Sequence, residues 1–179
     1  MALILGIDPG SLKTGFGIIK HQGGVSGYVA SGIIRLPRVG FPERLKIIYD
    51  GVTQIIEEYG PEELAIEDVF LARDARAALK LGQARGAAIL ACANQSIPVY
   101  EYAAKSIKQA VVGTGNAKKE QVQYMVKTLL KLPDTPGEDA ADALAAALCH
   151  AYTQQSMIGP ASANKTGPDS ARQEKTVYK

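Results

Sequence analysis

The sequence predicts an α/β domain in which a mixed, five-stranded sheet is flanked by helices. Two observations lead to this prediction. Up to Leu36 the chain contains three apolar or alternating segments joined by short turns, the pattern of an antiparallel meander. After them, helical patterns alternate with two further short apolar segments. Such alternation is typical of a sheet with helices packed on its faces.

The first predicted strand ends in an acid. The run Ile4–Ile7 is apolar at nearly every position, Asp8 follows it, and Pro9-Gly10 stops it. A second apolar run begins after Thr14, and the alternation over 27–36 predicts the third strand. A carboxylate on a strand buried on both faces costs free energy unless it is paired, hydrogen-bonded or bound to a metal. The alternative is that Asp8 only caps its own turn.

Helices and strands alternate through the rest of the domain. An amphipathic helix opens at Pro42-Glu43, where proline and an acid suit the first turn, and Gly60-Pro61 ends it. Short apolar segments predict strands at 64–70 and 97–102. Ala-rich or amphipathic patterns predict the remaining helices at 73–94, 103–112, 118–132 and 138–155.

One domain followed by a tail accounts for the 179 residues, which are 46% hydrophobic and 21% charged. No apolar run approaches the roughly 20 residues that a membrane helix needs, and we find no signal-peptide pattern. Ser, Gly, Pro and Lys dominate past Gln155, so we predict a domain over 1–155 and a disordered tail over 156–179. Two isolated cysteines, Cys92 and Cys149, predict reduced core thiols and a cytoplasmic location.

The charges are segregated along the chain. From Arg73 to Lys131 there are ten Lys or Arg and three acids, whereas the other residues up to Gln155 include six basic and thirteen acidic ones. If the fold places the two sets side by side, one can hold a polyanion while cations bind the other. The alternative is two unrelated solvated faces.

Three more acids interrupt apolar elements. Glu67 lies inside the strand 64–70, and Asp139 and Asp142 lie three residues apart on one face of an Ala- and Leu-rich helix. If they converge with Asp8, their repulsion favours a bound cation, and all-oxygen ligands favour Mg²⁺ or Mn²⁺ over zinc. Two such ions can activate water and stabilise the leaving oxygen of a phosphodiester. The helix dipole is an alternative explanation for Asp139, but it explains Asp142 less well.

Five stretches of the chain together resemble the RuvC family of bacterial Holliday-junction resolvases, which have a ribonuclease-H-like fold. They lie within residues 2–152 and read ILGIDPGSLKTGFGII, AIEDVF, ALKLGQARGAAI, VVGTGNAKKEQV and DAADALAAAL. The resemblance implies a homodimer that binds a four-way DNA junction during recombination and repair. It implies symmetric cleavage of two opposed strands with two Mg²⁺ ions per site, replaceable by Mn²⁺, leaving 5′-phosphates. Cooperation with the RuvA–RuvB branch-migration complex is also implied.

The same resemblance assigns roles to individual residues. The family's four catalytic, metal-binding acids match Asp8, Glu67, Asp139 and Asp142. Lys108 and Lys119 match basic residues near the scissile phosphate, and Lys119 is also expected to offset developing charge. Phe70 matches an aromatic residue that stacks on junction bases, with a core role as the alternative. Asp68 replaces an expected Gln, and on an extended strand it would face away from Glu67.

Other functions fit parts of the sequence. The Asp8 hairpin also resembles the phosphate-binding hairpin of actin-like ATPases and sugar kinases, but those proteins need a second, similar domain. A ribonuclease-H-like nuclease of the YqgF type, acting on RNA, would share the acids but not the LKLGQARG and VVGTGNAKK segments. A non-catalytic junction-binding module would not need four intact acids. The helix at 73–94 is our candidate dimer face, because Gly82 and Gly86 allow close approach.

Overall fold

A computed structural model describes residues 1–68 and 74–158. Three strands come first, namely β1 (Ala2–Asp8), β2 (Lys13–Gln22) and β3 (Val25–Arg35). The elements that follow are α1 (Phe41–Tyr59), β4 (Glu63–Asp68), α2 (Ala75–Asn94), β5 (Val99–Ala103), α3 (Ala104–Val112), α4 (Lys119–Leu130) and α5 (Glu138–Ile158). The predicted types and order of these elements are confirmed.

The five strands form one mixed sheet in the order β3-β2-β1-β4-β5. β2 is antiparallel to both β1 and β3, as the meander predicted, whereas β4 is parallel to β1 and β5 is parallel to β4. The carboxyl ends of β1 and β4 therefore meet at the same edge of the sheet. This pairing brings Asp8 and Glu67 together, since Ile7 lies opposite Ile66 in the register.

Helices cover both faces of the sheet. One core lies under α3, α4 and α5 and includes Ile4, Ile19 and Leu148. The other lies under α1 and α2 and includes Leu5 and Ile18. Successive residues of a strand point to opposite faces, so β1 is buried on both sides, as its continuous apolar run predicted.

Helix α5 lies directly on the backbone of β1 and β2. A Cβ at Gly6 would lie 1.9 Å from the carbonyl oxygen of Ala143, and one at Gly15 would lie 2.1 Å from that of Asp139. Only glycine permits this approach. The approach brings the first turns of α5, with Asp139 and Asp142, to the edge where Asp8 ends β1.

The ends of some elements differ from the prediction. Helix α2 begins at Ala75 because the Asp74 carboxylate accepts a hydrogen bond from the backbone N–H of Arg76 and caps the helix. Helix α5 continues past Gln155 to Ile158, so the first residues of the predicted tail are helical. The remainder of that tail, 159–179, lies outside the described residues. None of the described helices is long and apolar enough to cross a membrane.

Candidate active site

Three of the predicted acids border one cavity at the carboxyl edge of β1 and β4. Asp8 ends β1, Glu67 lies near the end of β4, and Asp142 projects from the second turn of α5. Together with Lys108 of α3 and Lys119 of α4, they line a cavity of about 220 Å³, called the acid cavity below. Side chains from five different elements thus meet in one place.

The fourth acid, Asp139, lies beside the acid cavity without lining it. Its carboxylate is 2.5 Å from the Nζ of Lys13, at the start of β2. The charge of Asp139 still reaches the cavity, since it contributes to the raised pKa of Asp8. The sequence grouped Asp139 with the other acids, but it carried no sign that Lys13 would pair with it. Lys13 follows a turn, where the sequence has no periodicity from which the direction of a side chain could be predicted.

Burial and the charges of neighbouring acids raise the pKa of every acid that lines the cavity. Burial, followed by the charges of Asp142, Glu67 and Asp139, raises the pKa of Asp8 from 3.8 to about 7. Burial is also the largest cause of the raised pKa values of Glu67 and Asp142, and Lys119 opposes the rise in all three. Any further positive charge entering the cavity would therefore stabilise the ionised carboxylates.

Two lysines place positive charge at the mouth of the acid cavity. The ammonium of Lys119 forms an ion pair with Glu138, the first residue of α5, and this hydrogen bond raises the pKa of Lys119. Lys108 is half-buried and lines the cavity beside it. Carboxylates inside and ammonium groups at the rim form a site that can hold a cation together with a phosphate.

The donor set fits a hard divalent cation. Asp8, Glu67 and Asp142 present carboxylate oxygens, and neither His nor Cys lines the cavity. Nevertheless, no three or more His, Cys, Asp or Glu side chains within 1–68 and 74–158 stand in position to hold a metal ion. The acids repel one another, and the carboxylate of Asp139 is already paired with the ammonium of Lys13. A cation held by all four predicted acids would therefore require these side chains to draw together and Asp139 to exchange its partner.

Arg85 of α2 supports β4 behind the acid cavity. Its Nε donates a hydrogen bond of 3.1 Å to the backbone carbonyl of Glu67. Its Nη2 lies 2.5 Å from Glu101 and 3.8 Å from Asp68, in ion pairs without an aligned hydrogen bond. Asp68 does not line the acid cavity, although it borders a neighbouring cavity with Asp8 and Glu67. Sequence reasoning missed Arg85 because its spacing does not distinguish it from a solvent-facing arginine.

Phe70, the predicted stacking residue, lies outside the described residues, so its role stays a prediction. The two cysteines are buried free thiols, as predicted.

Comparisons with family models, curated proteins and solved structures all match this chain to the same family. The family described as "Crossover junction endodeoxyribonuclease RuvC" matches residues 4–150. A curated relative of that description from Teredinibacter turnerae is 58% identical over 170 residues, covering 92% of this chain and 96% of its own. One from Pseudoalteromonas translucida is 59% identical over 167 residues, covering 93% and 96%. The solved structure of T. thermophilus RuvC in complex with a Holliday junction substrate is similar at TM-score 0.82 and 33% identity, covering 88% of this chain and 97% of that one.

Proposed function

The chain belongs to the RuvC family of crossover junction endodeoxyribonucleases, and we propose that the acid cavity is where it cuts the strands of a Holliday junction. One observation carries the proposal: Asp8, Glu67 and Asp142 converge, half-buried and with raised pKa values, beside two lysines. Family membership favours a junction resolvase over the YqgF-type and actin-like alternatives that parts of the sequence had raised.

RuvC-family nucleases are metal-dependent. We propose that the metal is Mg²⁺, with two ions per site replaceable by Mn²⁺, and that the ligands are Asp8, Glu67, Asp139 and Asp142. When bound, the ions would supply an activated water and compensation for the charge of the phosphate. The protein's own part is to hold four carboxylates at one edge of a rigid sheet, where burial excludes most water.

In this proposal the lysines interact with the phosphates of the DNA. Glu138 holds the ammonium of Lys119 at the rim of the acid cavity, where it can offset charge developing on the phosphate oxygens. Lys108, from the neighbouring helix, contacts the DNA backbone next to it. Lys13 loses its partner when Asp139 turns toward a cation, and its ammonium is then available to a phosphate.

The acids are tested by Asp8→Asn and Asp142→Asn, assayed on a synthetic four-way junction with Mg²⁺. We expect cleavage to fall by about 10²–10³-fold or more, the loss typical when one group that stabilises transition-state charge is removed. Junction binding, measured in EDTA, should persist because no basic contact is lost. Asp50→Asn is the control, since Asp50 is an exposed acid of α1 paired with Lys46. Normal cleavage by either cavity variant would show the assignment to be wrong.

The lysines are tested by Lys108→Ala and Lys119→Ala. Each should slow cleavage, and each should reduce the slope of log binding against log salt by about one if it contacts a phosphate. Lys46→Ala is the matched control, since Lys46 lies on α1, which packs on the opposite side of the sheet. Unchanged rates together with an unchanged salt slope would reject these contacts. Linear duplex and RNA substrates in the same series measure selectivity for junctions.

Partners follow from the substrate. A junction that needs two cuts is served economically by a two-fold dimer, so we propose a homodimer. We further propose that it acts in the cytoplasm during recombination and repair, together with the RuvA–RuvB complex. Phe70, close to Glu67 in sequence, is our candidate for stacking on the junction bases.

A further inference from the structure

A fully buried histidine lies about two turns along α5 from Asp142. His150 is 0% exposed in a helix whose other buried residues are Ala, Leu and Cys. Its Nε2 donates a hydrogen bond of 2.8 Å to Glu63, and its Nδ1 lies 2.6 Å from the hydroxyl of Tyr102. The imidazole also lies against Tyr100, with 4.3 Å between ring centroids. Both ring nitrogens are therefore satisfied, in what we call the His150 network (His150, Glu63 and Tyr102).

The His150 network joins α5 to the strands next to the acid cavity. Glu63 begins β4, the strand on which Glu67 lies. Tyr102 lies directly opposite Glu67 in the β4–β5 register. The network therefore links the helix that carries Asp142 to the strand that carries Glu67, and to that strand's neighbour. It contacts neither the acid cavity nor the lysines at its rim.

Apart from the Asp139–Lys13 ion pair, the described contacts between α5 and the sheet are made by the backbone of α5 and by apolar side chains. At its closest approach the backbone of α5 lies on glycines, as the Ala143 carbonyl does over Gly6, and the Leu144 side chain lies over Gly17. Hydrophobic burial is non-directional, so it holds such a helix against the sheet without fixing how far the helix slides along it. Hydrogen bonds are directional and lose strength steeply when they lengthen or bend. The two bonds of His150 therefore add a directional axial constraint, toward β4 and β5, to this apolar packing.

We propose that His150 is a positioning residue for the acid cavity: through Glu63 and Tyr102 it fixes the axial position of α5 and so places Asp142 relative to Glu67 and Asp8. One helical residue corresponds to a rise of about 1.5 Å, whereas metal–oxygen distances in a working site vary by only about 0.2 Å. A shift of a fraction of one residue would therefore separate a ligand from its ion. The inference rests on the proposed function of the acid cavity.

The test uses His150→Phe in the full chain, which keeps an aromatic ring against Tyr100 and removes both hydrogen bonds. Mn²⁺ binding is measured by calorimetry without DNA, and the Mg²⁺ dependence of cleavage is measured on a synthetic junction. We expect Mn²⁺ binding to weaken roughly 10-fold, the lower end of the effect of losing an outer hydrogen-bond partner of a metal site. Half-saturation by Mg²⁺ should move to higher concentration, while junction binding in EDTA should not change.

A matched control separates positioning from general stability. Val52→Ala in α1 removes a fully buried side chain from the opposite core, far from α5. It should lower the free energy of unfolding without weakening Mn²⁺ binding in the folded protein. If His150→Phe leaves Mn²⁺ binding unchanged, or weakens it no more than Val52→Ala does, the proposal is wrong.

Two milder substitutions provide a conservative comparison and protect the test against a variant that fails to fold. Glu63→Gln keeps an oxygen that accepts from Nε2 and should bind Mn²⁺ like the wild type, whereas Glu63→Leu should weaken binding as His150→Phe does. Equal Mn²⁺ binding by the two Glu63 variants would overturn the proposal even if His150→Phe does not fold. A wild-type protein that binds Mn²⁺ but does not cut junctions would instead refute the proposed function.

Discussion

Asp8 combines features that each disfavour its negative charge. It is half-buried at the end of a central strand, three other acids lie within range of it, and among the described residues Lys119 is the cation that opposes them. An isolated carboxylate in such a place would normally be replaced by a neutral residue. This unfavourable charge supports our proposal that a cation enters the acid cavity.

The negative charge of Asp8 should lower the free energy of unfolding of the metal-free protein. Because the pKa of Asp8 is about 7 in the folded protein and 3.8 ordinarily, the folded state binds more protons between these values. The free energy of unfolding should therefore fall as pH rises from about 4 to about 7 and stay low above that. Asp8→Asn removes the ionisable group that causes this loss of stability. At pH 8 the substitution should therefore stabilise the metal-free protein by about 2–4 kcal/mol.

Urea unfolding in EDTA at pH 5 and pH 8 measures the effect, with Asp50→Asn as the control. The stabilisation by Asp8→Asn should be smaller at pH 5, where the buried acid is already protonated. Adding Mg²⁺ at pH 8 should stabilise the wild type more than the variant. An equal effect of Asp8→Asn at both pH values would contradict the electrostatic account.

At this scale the sequence identified the acids but not their partners. Asp8, Glu67 and Asp142 were detectable because each interrupts an apolar pattern whose burial is predictable. Lys13 and Arg85 were not, since long basic side chains are common on surfaces and their partners depend on tertiary structure. His150 follows a run of Ala, Leu and Cys in α5, but no spacing in the sequence connects it to Glu63 or Tyr102.

Among the elements, α5 determines most about the acid cavity. It rests on strands β1 and β2 through glycines and carries Asp139 and Asp142. The periodicity that predicted a buried helix also predicted that two acids at its start would reach the sheet edge. It did not predict how closely the helix approaches, because that distance depends on which residues of β1 lie beneath it.

Gly6→Ala tests the close approach of α5. The added Cβ would lie 1.9 Å from the carbonyl oxygen of Ala143, so the helix must move away from the sheet. We expect a loss of about 1–3 kcal/mol or more in the free energy of unfolding and a marked loss of junction cleavage. Gly51→Ala in α1 is the control: its Cβ would meet only side-chain atoms of Ile34, the nearest at 3.0 Å. If Gly6→Ala has wild-type stability and activity, the close approach of α5 to β1 is not required.

The positions of strands and helices were predictable, whereas their ends and the register were not. Alternation and periodicity located every described element, but α2 begins where the Asp74 side chain caps it. Pairing of β1 with both β2 and β4 is a long-range choice that no local pattern specifies. The register sets Asp8 beside Glu67, so the assembly of the acid cavity could only be assumed from the sequence.

For the whole molecule, the fold brings the two charge sets together. Lys108 and Lys119, from the basic half of the chain, line the same cavity as acids from the other set. At the acid cavity, members of the basic and acidic sets therefore lie side by side, an arrangement that the sequence had left open. The basic set is divided, however, since Arg76, Lys80 and Arg85 lie on α2, which packs on the opposite side of the sheet.

Helix α2 remains our candidate dimer face. Leu79 and Leu90 are 69% and 53% exposed, and Gly82 and Gly86 between them have open space where a Cβ would be. These four residues follow one stripe of the helix. Gly86→Glu should convert a dimer to a monomer in light scattering and leave junctions nicked on one strand. Ala77→Glu, an exposed position off the stripe, is the control. A Gly86→Glu protein that stays dimeric would exclude this face.

The glycines beneath α5 also limit how the sequence can diverge. At an ordinary core position, a larger side chain can be accommodated later by a smaller neighbour. At Gly6 the nearest atoms are all backbone of α5, and at Gly15 the two nearest are backbone as well, which no substitution removes. A change elsewhere in the core can therefore be compensated by a neighbouring side chain, but at these two positions it cannot, so descendants of this protein should keep glycine wherever the backbone of α5 touches the sheet.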